Sequence, residues 1–176
     1  MIPEEKIRSA TIMDVAAKML VAARTAPKGR GIDDLSLALV EMPEIIIIAE
    51  KMKEIAVRSG GSFFERDANN ILSAECLLLF GTRIKTRGLK VCGHCGFKDC
   101  AEKEKYPNVP CSFNTGDLGI AMGSSVSVAM DHRIDNRIMY TVGQAVLELG
   151  LMGPDVKVIY GIPLSATAKN PFFDRT

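Results

Sequence analysis

Four cysteines, Cys92, Cys95, Cys100 and Cys111, stand in the pattern Cys-x2-Cys-x4-Cys-x10-Cys. Two intervening residues let the first pair of thiolates turn toward one ion or one face of a cluster. Gly93 and Gly96 give that turn its backbone freedom. Amides in such a loop can also aim N–H groups at sulfur and stabilise its charge. Four thiolates suit either a tetrahedral zinc site or an iron–sulfur cubane. Structural zinc knots usually present two Cys-x2-Cys pairs. Here one pair is followed by two separated cysteines, a wider ligand set that favours a [4Fe–4S] cluster, with zinc as the alternative.

The setting of the cysteines matters as much as their spacing. Glu4, Glu5, Lys6 and Arg8 occupy the place where a signal peptide would begin its apolar stretch. The expectation is a cytoplasmic chain in a reducing compartment, where disulfides are uncommon and five cysteines read as ligands or core thiols. Unmetallated thiols or disulfides are the third alternative. His94 lies between two of the ligands and reads as a loop residue or a donor to them, not as a ligand itself. Cys76, in Ala74-Glu75-Cys76-Leu77-Leu78-Leu79, reads as a buried, inert thiol on an apolar helix.

Other chemistry-bearing residues read as structural. Asp131-His132-Arg133 offers acid–base groups without a matching nucleophile and reads as a polar connection between helices. Asp33-Asp34 reads as a pair that orients a loop or caps backbone. Ser124, Ser125 and Ser127 have no nucleophile-elbow context. The nine methionines fill core.

The elements that must position the cysteines follow from periodicity. Pro3 to Arg24 carries Ile12, Val15, Ala16, Met19, Ala22 and Ala23 at helical spacing and ends before Pro27. Leu35 to Val40 reads as a strand. Pro43 opens a helix to about Arg58, stopped by Gly60-Gly61. Ser62-Phe63-Phe64-Glu65 has the form of a capping box and opens a third helix, predicted to run to about Phe80. Leu89 to Val91 is a brief apolar run. Helices are predicted over Thr115 to Met130 and Asp135 to Leu149, and a strand over Val156 to Ile162. Strand candidates separated by helices imply an α+β or α/β domain.

At 176 residues, 47% of them apolar, the chain suits one domain over residues 1–176, with a cysteine-rich segment over 91–113 inserted into it. A net charge of +1 gives no bias toward nucleic acid or a membrane surface. No apolar run approaches the ~20 residues of a membrane span.

Several motifs together resemble a prokaryotic family described as uncharacterised proteins containing a ferredoxin domain. They are Ala22-Ala23-Arg24-Thr25-Ala26-Pro27-Lys28-Gly29-Arg30-Gly31, Cys92-Gly93-His94-Cys95-Gly96, Asp135-Asn136-Arg137-Ile138-Met139-Tyr140, Gly161-Ile162-Pro163-Leu164-Ser165, and Lys169-Asn170-Pro171-Phe172-Phe173-Asp174-Arg175. The cysteine run also resembles the four-iron domain of corrinoid and membrane redox proteins. More distantly, Ala22 to Pro27, the late helix and Gly161-Ile162-Pro163 are similar to flavin-dependent nitroreductases. That likeness implies a central, mostly antiparallel sheet flanked by helices, a homodimer, and FMN at the dimer interface. Lys28 stands where the nitroreductase motif has Ser, and Arg8-Ser9 stands without the family's preceding Arg. On this resemblance Lys28, Gly29, Arg30 and Arg24 become candidates to hold a flavin phosphate. Lys169 and Arg175 become candidates to close over it from a partner subunit.

The reading is a redox protein with a nitroreductase-like α+β scaffold. It would carry an iron–sulfur cluster on its four spaced cysteines and exchange electrons with a flavin and an unidentified donor or acceptor. Two alternatives stay open: a non-enzymatic protein with a structural zinc site serving a partner, and a cluster-free flavin oxidoreductase.

Overall fold

The computed structural model describes residues 1–173. At its centre is an antiparallel sheet in the order β1-β2-β4-β3. The strands are β1 (Leu35–Val40), β2 (Cys76–Arg83), β3 (Asp135–Asn136) and β4 (Val156–Ser165). Helices α1 (Glu4–Thr25) and α5 (Ser112–Asp131) cover one face. Helices α2 (Met42–Ser59), α3 (Ser62–Ile71) and α6 (Tyr140–Leu149) cover the other. The α+β class and the antiparallel sheet are as expected.

Strand β2 is the spine of this arrangement. Leu77 and Leu79 pack into the core beneath α2, α3 and α6, while Cys76, Leu78 and Phe80 pack into the core beneath α1 and α5. All five are 1% exposed or less, because alternate side chains leave opposite faces of a strand and both faces are covered. The same apolar side chains that drive burial thus erase the polar alternation by which a strand is read.

Two predicted elements are corrected by this geometry. The third helix stops at Ile71, well short of Phe80, and Cys76 begins a strand. Its cap is Gly61, with Ser62 already inside the helix, so the capping box does not form. The late helix begins at Tyr140; Asp135 and Asn136 instead pair with Ser165 and Leu164 at the edge of the sheet. Leu89 to Val91 forms no strand. The connection from β2 to α5 carries the cysteines and contains a short helix, α4 (Cys100–Glu104).

Candidate metal centre

The connection between β2 and α5 is organised locally before it meets the body of the protein. Gly96 adopts φ 86°, and its N–H donates to the Gly93 carbonyl at 2.9 Å, closing the turn that contains Cys95. Asp99 caps α4 by accepting from the Glu102 N–H at 2.8 Å, and Glu102 reaches back to accept from the Lys98 N–H at 2.6 Å. Phe97 stacks on Tyr106 with ring centroids 5.1 Å apart. Thr86 Oγ1 donates to Glu104 at 2.7 Å and ties α4 to the chain leaving the sheet. These contacts place Cys100 at the first residue of α4 and Cys111 immediately before α5.

Cys92, Cys95, Cys100 and Cys111 all border one narrow cavity of about 10 Å3, walled on its apolar sides by Leu89, Phe97 and Phe113. All four are free thiols. Cys111 is buried and sits at the amino end of a 20-residue helix, where unpaired N–H groups carry partial positive charge. Among the described residues, no three His, Cys, Asp or Glu side chains are gathered closely enough to hold one ion. Cys76 stays apart in the core, where burial pushes its thiol up to about 12.

Two cations share the cavity wall. Arg87 is 2% exposed and Lys103 is 3% exposed. Arg87 donates through Nη1 to Asp34 and through Nη2 to Asp117 Oδ2 at 2.8 Å. Burial would lower its pKa, but the hydrogen bonds and charges of Asp117 and Asp34 outweigh that and hold it above the usual arginine value. Asn114 Nδ2 donates to Asp34 at 3.3 Å, and its Oδ1 accepts from the Lys85 N–H at 2.9 Å. The Arg87 Nε–H has no partner although it is buried. Lys103 has no carboxylate partner among the described residues. An orphaned donor and a buried cation beside four thiols are what a negatively charged sulfur centre would satisfy. The donor set therefore fits an iron–sulfur cluster.

A second cavity, of about 440 Å3 and largely apolar, adjoins the first. Pro27, Lys28, Gly29, His94, Ile120 and Phe113 are among its walls, and Phe113 borders both spaces. A Cβ at position 29 would fall 2.8 Å from Phe113 Cδ1, so only glycine allows this approach. The Gly29 N–H donates to Asp117 Oδ1 at 3.0 Å, which joins the glycine loop to the Arg87 network.

The residues read as phosphate ligands are placed as follows. Lys28 donates to the Ala23 and Arg24 carbonyls at 2.7 and 2.5 Å, and partial burial lowers its pKa. Arg24 pairs with Asp33 at 2.6 Å. Arg30 Nη1 donates to the Arg87 carbonyl at 2.7 Å. Lys169 lies near the end of the described chain, and Arg175 lies outside the described residues. Lys28 and Gly29 border the apolar cavity; Arg24 and Arg30 do not.

Sequence reasoning missed Arg87, Lys103, Asp117, Asn114 and Phe113. One signal was present. Asp117 and Asn114 interrupt the buried stripe that continues through Leu118, Ala121 and Met122, and a charge on an apolar stripe asks for a partner. Asp33 behaves as read, accepting from the Leu35 N–H at 2.9 Å. Its neighbour Asp34 turns inward.

Comparison with known proteins bears on the family and the fold. Residues 108–175 match the family described as "uncharacterized protein containing a ferredoxin domain" (DUF2148). A relative from Archaeoglobus fulgidus, named as an uncharacterized protein, is 38% identical over 180 residues, covering 98% of this chain and 96% of its own. Among solved structures, a nitroreductase family protein from Clostridium novyi superposes with a TM-score of 0.61 at 15% identity, over 87% of this chain and 73% of its own. A nitroreductase with bound FMN from Bacteroides fragilis gives a TM-score of 0.61 at 14% identity, over 88% and 77%. The fold is nitroreductase-like. Among the described residues, no helix is long and apolar enough to cross a membrane.

Proposed function

This chain belongs to the family of proteins containing a ferredoxin domain, and on that footing we propose that it is a redox protein binding a [4Fe–4S] cluster through Cys92, Cys95, Cys100 and Cys111. The observation that carries the reading is the meeting of these four free cysteines at one narrow cavity. Such a cluster, when bound, supplies one-electron transfer. Leu89, Phe97 and Phe113 exclude water around the sulfurs, while the loop from Cys92 to Gly96 keeps the centre close to the surface, within reach of a partner.

The second cavity gives the electron a destination. FMN is bound in the B. fragilis nitroreductase of similar fold, and the apolar space beside Phe113 suits a flat ring system such as a flavin. Lys28 uses two of its three ammonium donors on the Ala23 and Arg24 carbonyls, leaving the third for a ligand. Phe113 then separates the two redox groups by a single side chain. A homodimer would complete the crevice.

The test is a cofactor inventory on protein purified without oxygen. Iron and acid-labile sulfide in equal amounts, with a broad visible absorption, are expected. In Cys95→Ser that metal should be lost while the helical circular dichroism is unchanged. Colourless protein holding zinc alone, or full iron occupancy in Cys95→Ser, would overturn the ligand assignment.

A further inference from the structure

We propose that Arg87 and Lys103 donate to the sulfur atoms of the bound cluster and set its reduction potential, drawing it upward. The inference rests on the cluster reading above and extends it to residues that are not ligands. Both side chains are nearly inaccessible to water and both border the cysteine cavity. Their situations within the wall differ in an informative way.

Arg87 is clamped. Asp34 takes one end of its guanidinium and Asp117 the other, and each carboxylate is itself held, by Asn114 Nδ2 and by the Gly29 N–H. Two carboxylates in a fork fix a planar guanidinium in one orientation. They take two of its five N–H groups, and Nε is the nitrogen left buried and without a protein partner. An unsatisfied buried N–H costs about 1–3 kcal/mol, so its retention calls for an acceptor that the protein itself does not provide. Sulfur in the adjoining cavity is that acceptor.

Lys103 is not clamped. It lies three residues beyond Cys100 on α4, and its ammonium has no carboxylate partner among the described residues. A buried, uncompensated cation is expensive. Asp34 also meets Lys85 Nζ at 4.0 Å, so the two carboxylates are matched by Arg87 and Lys85 without Lys103. Four thiolates around a cubane add net negative charge, and one-electron reduction adds one more. A positive charge fixed nearby favours the reduced state, and hydrogen bonds to sulfur act in the same direction. No proton is transferred: both N–H groups keep theirs, and only an electron from the external reductant arrives.

The experiment is a dithionite potentiometric titration, followed by electron paramagnetic resonance, on anaerobically reconstituted full-length protein. Lys103→Met removes the charge at similar volume and breaks no side-chain hydrogen bond or ion pair among the described residues. It should retain iron and sulfide and shift the reduction equilibrium about tenfold toward the oxidised state, ~59 mV for one electron. Lys105→Met, which removes an exposed cation two residues away, is the control and should leave the potential in place. In arginine labelled with nitrogen-15, the reduced wild-type protein should show a hyperfine coupling that is lost in Arg87→Lys. Unchanged potential in Lys103→Met together with no nitrogen coupling, in protein that retains its cluster, overturns the proposal and leaves the cluster reading standing. Wild-type protein that takes up no iron and sulfide overturns both.

Discussion

Two buried carboxylate–arginine clusters sit among the described residues, and they differ first in how fully their donors are satisfied. Around Asp67, every buried polar side-chain atom is satisfied. Its Oδ1 accepts from Arg66 Nε and Nη2 at 3.0 and 2.8 Å and from Arg137 Nη1 at 3.3 Å, and its Oδ2 accepts from Thr141 at 2.9 Å. Arg137 also donates to the Phe172 carbonyl at 2.9 Å, which pins the fully buried Phe172 against α3 and α6. Around Arg87, the two carboxylates are satisfied and the arginine is not. A cluster that serves only the fold has no reason to leave a donor unpaired. One built against a ligand cavity leaves open the donor that the ligand will use. The clusters also reverse the roles of their charges: one buried acid between two partly exposed arginines, against one buried arginine between two buried acids.

That reversal predicts unequal costs. Arg87→Met would strand Asp34 and Asp117, whose side chains are each 6% exposed. Removing one partner of a buried pair typically destabilises by about 3–5 kcal/mol, because the remaining charge cannot reach water. Urea denaturation of the metal-free protein should show a loss in that range. A loss below about 1 kcal/mol would mean that the acids are rehydrated, and the distinction between the clusters would be gone.

Asp67→Asn is expected to cost less, about 1–3 kcal/mol. The arginines it releases can turn outward, since the Arg66 side chain is 32% exposed and the Arg137 side chain 19%. Arg137 also keeps its bond to the Phe172 carbonyl. The loss should be local and fall on the C-terminal segment, read as faster hydrogen exchange at the Phe172 N–H, which Asn170 Oδ1 accepts. If Asp67→Asn proves more costly than Arg87→Met, the burial argument that separates the two clusters fails.

How much of this was legible beforehand depends on the range of the interaction. The cysteine spacing is local, and the structure brings all four to one cavity. The helices that open at Glu4 and Met42 show their apolar stripes or their proline within a single turn or two, and they were placed to within a residue or two. Cys76 to Phe80 failed because a strand covered on both faces carries no alternation, and a short apolar run has no period to betray it. The Arg87 cluster failed for another reason. Arg87 is 53 residues from Asp34 and 30 from Asp117, and nothing in the local sequence of any of them names the others. Cysteines chosen by spacing were visible, and the side chains that surround them were not.

The exposed pair Arg24–Asp33 calibrates both clusters from the low end. Arg24 Nη1 meets Asp33 Oδ2 at 2.6 Å, but the arginine side chain is 49% exposed and the aspartate 29%, so water screens the pair. Burial alone would raise the Asp33 pKa; the Arg24 hydrogen bond, the Leu35 N–H and nearby positive charge reverse that and hold it below the usual value. A depressed folded pKa means stability that is present above the unfolded value, about 3.9, and fades as pH falls through the folded one. Asp33→Asn keeps an acceptor for the Leu35 N–H and removes only the charge. The variant should therefore lose less than about 1 kcal/mol at pH 7, and the difference from wild type should shrink toward zero as the pH is taken down to the acid limit of folding. A gap that persists unchanged in acid would assign the effect to the lost cap geometry instead of the ion pair.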